Sequence, residues 1–599
     1  MGGAGRAERL WLAGILLLAV AARYVGLSQG SPHDYHWDEN IYFHEAFYGL
    51  ANGLRRESTV SANLPYLLMP GLLLQWLAGV LSGQVGSFGD VVRSYISSPE
   101  PFVLVGRAAW AASGVLSVAM VYRVARRISG PAFGLLSAFF LSVAFLHVEQ
   151  SHFIKNDVPA GLFLLFALDR AFSIQERGAR RDYLWAGFWI GMASATKYYC
   201  AAVAPIILVA HLMRPTSEAQ PTVRGWTPLL PSALGAVAGF VLTTPVLLID
   251  PRNLLDSLAW ELGARFGSIP TGDTPQWLFY INEHLANGLG RPLLVLALGG
   301  MIFVALRRTP KGLLLAATAV LFFVAVNLRP NNFARYIVPC VPFLCITAAI
   351  ALRTIIGALL GPVPARVRLL GTALLVVGGV LVAAPSWLNV IRYDYFALGT
   401  DTRNAAQAWF EKSVPAGASV LVEGSVPGGS FERTSNLGPQ IWPNVQELEA
   451  SGAIGPSERF FWEQLLPVVS ASPAYSLTLV GSVERQVRES GGYRVNSPVA
   501  SISEYGSPDY VMLLSWRSAD LRAGSPSPLW RSIQEEYSLV QIFACRPCFP
   551  EDYYAWRTDY PTLESIAVFG GAQPVGGPEV RVFERNTTHF PVRGLPAAP

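Results

Sequence analysis

From His33 to Asn40 the chain reads His-Asp-Tyr-His-Trp-Asp-Glu-Asn, which places three acids and two histidines within seven residues. This run follows the first long apolar stretch of a sequence that is 52% hydrophobic and only 14% charged. A carboxylate held against apolar surface binds its proton more tightly, which suits it to general-base work. Asp38 is the acid we assign to that task. Its neighbour Glu39 diverges from it by about 100° on a helix, so only one of the two addresses a given reacting atom. A plain structural reading competes with this one. Asp38 would cap a helix beginning near Asn40, and Glu39 would be solvated in its first turn.

A second acidic site lies at Asp157, directly before Val158-Pro159-Ala160-Gly161. That is a good helix cap, with proline just inside the helix, and capping and catalysis are compatible there. His147, Glu149 and His152 crowd the same turn. His147 and Glu149 are weak candidates for a metal, because histidines at a membrane interface are usually ordinary polar edge residues. Cations form a third group: Arg107, Lys155, Lys197, and Arg335 followed by Tyr336. Any one of them could be a snorkelling interface residue. Together they could hold a lipid phosphate, arginine by bidentate hydrogen bonds and lysine as a point charge. The sequence has no glycine-rich phosphate loop opening a helix and no nucleophile elbow in a credible context. Of the five cysteines, Cys200, Cys340 and Cys345 lie in apolar runs. Cys545 and Cys548 form a lone pair in a polar region, as a local disulfide or as free thiols.

These residues need elements to position them, and the elements are membrane helices. The chain has 599 residues and a mean hydropathy of +0.36. Apolar runs near the ~20 residues that cross a bilayer recur around 10–27, 103–122, 132–148, 158–174, 183–213, 228–249, 292–306, 312–327, 336–352 and 369–388. The run 183–213 is too long for one helix and carries Lys197 in its middle, where a charge at mid-bilayer costs roughly 2.5–3.5 kcal/mol. Two short helices with Lys197 at the turn remove that cost. They also put every short basic cluster on one side: Arg123/Arg126/Arg127, Arg170/Arg177/Arg180/Arg181, Arg214/Arg224, Arg307/Arg308/Lys311 and Arg353/Arg366/Arg368. The expectation is about eleven spans in a multi-pass protein of the inner or plasma membrane. Its first helix is uncleaved, with the N-terminus cytoplasmic. Residues 1–390 then form the membrane catalytic domain. Its outer loop 28–102 carries segments 40–54 and 64–82, read as interfacial helices interrupted by Pro65 and Pro70. A further outer loop spans 250–291. Residues 391–599 form a soluble extracytoplasmic α/β domain, with a helix from Thr400 through Trp409 and strands at Ala418–Glu423, Tyr510–Trp516, Ser538–Phe543 and Val580–Glu584. Asn586-Thr587-Thr588 matches a glycosylation acceptor.

Several motifs resemble one family. His36-Trp37-Asp38-Glu39-Asn40-Ile41-Tyr42 looks like the Asp-Glu motif in the first outer loop of the polyprenyl-phosphate-sugar-dependent glycosyltransferases of the GT-C type. These include protein O-mannosyltransferases and lipid A aminoarabinose transferases (glycosyltransferase family 39). Val105-Gly106-Arg107, Tyr122-Arg123-Val124-Ala125-Arg126-Arg127, Ser151-His152-Phe153-Ile154-Lys155-Asn156-Asp157-Val158-Pro159, Gly191-Met192-Ala193-Ser194-Ala195-Thr196-Lys197 and Ala334-Arg335-Tyr336-Ile337-Val338-Pro339 look similar to further family motifs, over roughly residues 8–390.

The resemblance implies a hexosyl- or pentosyltransferase moving a sugar from a polyprenyl phosphate to an acceptor hydroxyl of a protein, lipid or glycan on the outer face. Asp38 would be the base, with Glu39 and Asp157 as accompanying acids. Arg335, Lys197, Arg107, Lys155 and Tyr336 would lie around the donor phosphate. Configuration would invert, and no cofactor or metal would be required. A transporter or flippase for a lipid-linked sugar is the competing reading. It would place ionisable groups within spans, whereas here the acids lie at their outer edge. Membrane lipid is an expected partner. The small net charge of +4 gives no reason to expect nucleic acid.

Overall fold

The computed structural model describes residues 2–32, 37–55, 63–215, 226–263, 274–329, 332–361, 368–423, 459–461, 463–464, 476–480, 502, 506–515, 533–543, 575–576 and 579–586. The segment His33–His36, the side chains of Trp37 and Asp38, and Cys545 and Cys548 lie outside the described residues.

Helix α1 (Gly2–Tyr24) is followed by α2 (Trp37–Ala51), α3 (Leu64–Leu81) and α4 (Phe88–Ser97). The bundle then continues through α5 (Glu100–Ser129), α6 (Pro131–Ser142), the short α7 (Phe145–Glu149), α8 (Asp157–Glu176) and α9 (Arg180–Thr196). A 3₁₀ turn at Tyr198–Val203 leads into α10 (Pro205–Leu212), α11 (Leu229–Thr243), α12 (Val246–Ile249), α13 (Pro251–Gly263) and α14 (Gln276–Phe279). A π-turn at Tyr280–Leu285 precedes α15 (Ala286–Leu289), α16 (Arg291–Arg307) and α17 (Pro310–Asn327). A second 3₁₀ stretch, Ala334–Cys340, opens α18 (Val341–Leu360), and α19 (Arg368–Ala397) completes the helical part. Proline opens α6, α10 and α17, where its missing N–H costs nothing and its fixed φ suits the first turn.

Among the described residues, five helical stretches are long and apolar enough to cross a membrane: Leu64–Leu81, Glu100–Ser129, Pro310–Asn327, Ala334–Leu360 and Leu370–Ala397. Shorter apolar helices accompany them, including Pro131–Ser142, Tyr198–Leu212 and Leu229–Thr243. The chain is therefore an integral membrane protein. Helix α3 departs from the expected broken interfacial segment. Pro65 falls in its first turn, where it is tolerated, and Pro70 is carried inside an unbroken helix. Leu74, Leu77 and Leu81 lie exposed along it, as on a helix that faces lipid. The run 183–213 does break at Lys197, whose backbone is extended (φ −143°, ψ 114°) between α9 and the 3₁₀ turn.

Helices α9 and α11 pack backbone to backbone. Gly187 and Gly191 face the carbonyls of Ser232 and Ala236, and Gly235 and Gly239 face those of Leu184 and Phe188. A Cβ at any of these positions would collide with main chain, so the spacing of small residues four apart sets the approach. At one end of the bundle the basic clusters meet. Arg123 and Arg127 both pair with Asp169, and Lys311 pairs with Glu176. Lys311 also donates to the carbonyl of Arg127 (2.9 Å), and Arg353 donates to that of Ser129 (2.8 Å). These cations satisfy and complement the C-terminal carbonyls of α5. The acids and cations singled out for chemistry lie at the opposite helix ends.

Above those ends, α2 and α4 share an aromatic core. Tyr95 sits 5.1 Å from Phe43, 5.2 Å from Phe47 and 5.7 Å from Phe102, ring centre to ring centre. Phe461 of the tail joins it, stacked on His44 at 3.7 Å, while Gln464 accepts from Arg93 (2.8 Å). The tail is an α/β unit. β1 (Thr400–Asp401) leads into α20 (Thr402–Ser413), then β2 (Ser419–Glu423), β3 (Ser476–Val480), β4 (Tyr510–Ser515), β5 (Tyr537–Phe543), β6 (Val575–Gly576) and β7 (Glu579–Arg585). The main sheet has the order β3-β2-β4-β7-β5, with β2 parallel to β3 and β4, and β7 antiparallel to β4 and β5. Val420, Val422 and Met512 pack with Ala406 and Phe410 of α20 on one face, and Leu421, Val511 and Leu513 are buried on the other. Two covered faces explain why β2 reads as a continuous apolar run rather than an alternating one. The four strands expected from sequence are present, and β3 and the two-residue strands β1 and β6 are additions to them.

Candidate active site

The first turn of α2 is fastened before any chemistry is considered. Glu39 is fully buried. It accepts from Arg107 Nε (3.0 and 3.2 Å), from Arg107 Nη2 (2.7 Å) and from the backbone N–H of Ile154 (2.8 Å). Arg107 also donates through Nη1 to the carbonyls of Leu27 (3.0 Å) and Gln29 (2.7 Å). A buried ion pair persists only when its remaining hydrogen-bonding capacity is met, and these contacts meet it. The pair thus joins α2, α5, the turn after α1 and the loop leading to Asp157. Glu39 is not the solvated residue of the capping alternative, and Arg107 is engaged with a carboxylate of its own protein. Asn404 of α20 donates to the carbonyls of Gly30 (3.3 Å) and Ser31 (2.5 Å), steadying the chain that runs into α2 from the other side. The backbone of Asp38 therefore sits one residue from a pinned carboxylate, and that carboxylate is bound by the N–H of Ile154, three residues before Asp157.

Asp157 opens α8, is fully buried, and forms an ion pair with Lys197. Lys197 donates to the Tyr199 hydroxyl (2.6 Å). Its Nζ lies 5.0 Å from the centre of the Tyr199 ring and 4.4 Å from that of Tyr336. The guanidinium of Arg329 lies 5.2 Å from Tyr199 and 5.0 Å from Tyr336. Arg335 lies 5.6 Å from Tyr336 and 5.5 Å from Phe333. Three cations thus converge on one tyrosine ring, each within the ~6 Å at which a π face attracts a cation. Aromatic faces soften the repulsion between like charges, and an anion between them would remove it. Lys155 is buried to one side, donating to Gln150 (3.3 Å) and lying 5.0 Å from the Phe153 ring.

The structure thus brings together Asp157, Lys197, Arg335 and Tyr336, and separately joins Glu39 to Arg107. Arg329 and Tyr199 are additions that sequence reasoning did not single out. The signal available was the sequence pattern Arg329-Pro330-Asn331-Asn332-Phe333-Ala334-Arg335, a polar, proline-containing break after an apolar run with an arginine on either side. The π-turn contributes Tyr280 and His284, both buried. Burial pushes the Tyr280 phenol well up, with Tyr336, Arg329 and Asp157 close enough to act on it. His147 and Glu149 have different surroundings. His147 Nδ1 faces Arg23 Nη2 at 3.1 Å, where a permanent cation opposes metal binding. Glu149 lies beside Gln150 (3.3 Å). Burial pushes its carboxyl up to about 7, with Lys155 acting the other way. Among the described residues no three metal-ligating side chains come together.

Residues 104–249 match the family model described as dolichyl-phosphate-mannose-protein mannosyltransferase. That stretch runs from α5 to α12 and holds Arg107, Asp157 and Lys197, and it relates the chain to that family. No curated protein matches the sequence. Among solved structures, ArnT from Cupriavidus metallidurans bound to undecaprenyl phosphate aligns at 14% identity and a TM-score of 0.49, covering 99% of this chain and 100% of that one. The apo form of the same protein aligns at 15% identity and 0.48, covering 89% and 96%. The Archaeoglobus fulgidus oligosaccharyltransferase in complex with Zn and sulfate aligns at 11% identity and 0.46, covering 88% and 71%.

Proposed function

We propose that this protein is a membrane glycosyltransferase that moves a sugar from a polyprenyl phosphate to an acceptor hydroxyl. The observation that carries the reading is the convergence of Lys197, Arg329 and Arg335 on Tyr336 beside Asp157. Such an arrangement suits the phosphate of a lipid donor, and the family match over 104–249 supports it. The donor phosphate lies against these three cations. The pair Glu39–Arg107 is a positioning device that holds the first turn of α2 over the mouth of the helices. Asp157 keeps Lys197 oriented.

Asp38 then takes the proton of the acceptor hydroxyl as its oxygen attacks the anomeric carbon. The bond from that carbon to the phosphate oxygen breaks, and its electrons leave with the lipid phosphate. The cations stabilise the charge that gathers there. Attack from the face opposite the phosphate inverts the configuration. The basic clusters of the short loops support a topology of about eleven spans with those ends inside, in which this site and the α/β tail lie on the outer face of the membrane.

The reading is tested by incubating membranes that contain the protein with labelled polyprenyl phosphates carrying different sugars. One of them should lose its sugar to an acceptor. Labelled lipid that crosses the bilayer with its sugar intact, and no transfer from any donor, would instead favour a flippase.

A further inference from the structure

His284 has a role that neither the cations nor the acids of the site require. It sits in the π-turn Tyr280–Leu285, an uncommon local conformation that is frequent at functional sites. The π-turn packs against the 3₁₀ stretch Ala334–Cys340, which carries Arg335 and Tyr336. The imidazole is 1% exposed, and its Nε2 lies 2.7 Å from the backbone carbonyl of Asn332, three residues before Arg335. A carbonyl only accepts, so Nε2 carries the proton and donates. Burial holds this histidine down to about 4, against the pull of the Asn332 carbonyl. The ring is therefore neutral at physiological pH, and Nδ1 presents a bare lone pair. Among the described residues Nδ1 has no hydrogen-bond partner. The ring is flanked by Phe279 at 5.1 Å and perpendicular, and by Tyr280 at 5.3 Å.

A buried acceptor in such a place calls for a donor. A phosphate oxygen cannot supply one, because at neutral pH it is itself an acceptor. The group that fits must bring an O–H, and the packing of the π-turn on the stretch that carries Arg335 and Tyr336 makes the lipid donor the molecule to supply it. We propose that His284 Nδ1 accepts a hydrogen bond from a hydroxyl of the donor's sugar, so that the π-turn forms a sugar-recognising subsite beside the phosphate cations. This inference rests on the donor reading given under Proposed function. It makes His284 a specificity-determining residue, because a hydrogen bond left unmade in a buried site discriminates against a ligand that lacks the partner.

The test compares purified full-length protein with its His284→Phe and His284→Gln variants. Each binds bare polyprenyl phosphate and polyprenyl phosphates carrying mannose, glucose or 4-amino-4-deoxyarabinose. In the wild type, at least one sugar-bearing lipid should bind more tightly than the bare lipid. His284→Phe should lose that preference, about tenfold for one neutral hydrogen bond, while its affinity for bare lipid stays unchanged. His284→Gln, whose amide oxygen can still accept, should retain part of the preference. Three results would overturn the subsite alone: a His284→Phe variant that keeps the full preference, one that weakens bare and sugar-bearing lipid equally, or a wild type that distinguishes no sugar from bare lipid. A wild type that binds none of these lipids would overturn the donor reading, and the subsite with it.

Discussion

At the scale of single residues, charge pairing divides the candidate residues into those that hold and those that are held ready. Glu39 and Arg107 hold. Glu39→Gln leaves Arg107 buried with its counter-charge removed, a change that typically costs about 3–5 kcal/mol. The expected outcome is a protein with a clearly lower melting temperature in detergent. A melting temperature equal to wild type together with lost transfer would return Glu39 to the chemistry. Arg329 belongs to the cations proposed to face the donor phosphate. Arg329→Ala should weaken the binding of bare polyprenyl phosphate about tenfold or more, the usual range for a lost charge-assisted contact. An unchanged dissociation constant would remove it from the phosphate site. Sequence made the residue types legible but not these pairings. Glu39 and Arg107 lie 68 positions apart, and no local periodicity links them. Arg329 stands at the end of an apolar helix, where any cation reads as an interface residue. Lys197 was legible because a lysine in the middle of an apolar run demands a break, and the backbone breaks there.

At the scale of elements, helix packing sets how closely the site's two halves approach. Lys197 hangs from the end of α9, and α9 is located by its glycine contact with α11. Gly191→Leu would drive a side chain into the backbone at Ala236. Overpacking of this kind costs typically 1–3 kcal/mol or more, and the expected result is reduced folded yield in the membrane and weaker lipid binding through a displaced Lys197. A Gly191→Leu protein with normal yield and normal binding would show that the close approach is not needed. The glycines were visible in the sequence, but their partners across the helix pair were not. Helix α3 marks the opposite limit. Prolines at 65 and 70 suggested interruption, yet one falls in the first turn and the other is absorbed into a continuous helix. A purely local breaker rule gave way there to the gain from an unbroken apolar helix. Strand β3 went unread because its five residues, Ser476-Leu477-Thr478-Leu479-Val480, pair with β2 from far along the chain.

At the scale of the whole molecule, the arrangement is a helical bundle with basic residues gathered at one end, the site at the other, and an α/β unit beyond it. Tail contacts reach back to the site's supports, through Asn404 to the chain before α2 and through Phe461 to His44. The proposed function needs the site and the tail to face outward. A topology reporter fused after Arg392 should report the extracytoplasmic side, and a cytoplasmic signal would place the site on the wrong face for a flipped lipid donor. The central claim is narrower still: an acid in the first turn of α2 removes a proton while the cations hold a lipid phosphate. The most direct measurement follows sugar transfer from labelled polyprenyl-phosphate donor by reconstituted wild type and Asp38→Asn, with bare-lipid affinity measured on the same preparations. Asp38→Asn should keep the wild-type affinity and transfer sugar at a rate lower by about two to four orders of magnitude, the usual contribution of a general base. Transfer by Asp38→Asn at the wild-type rate would contradict the central claim.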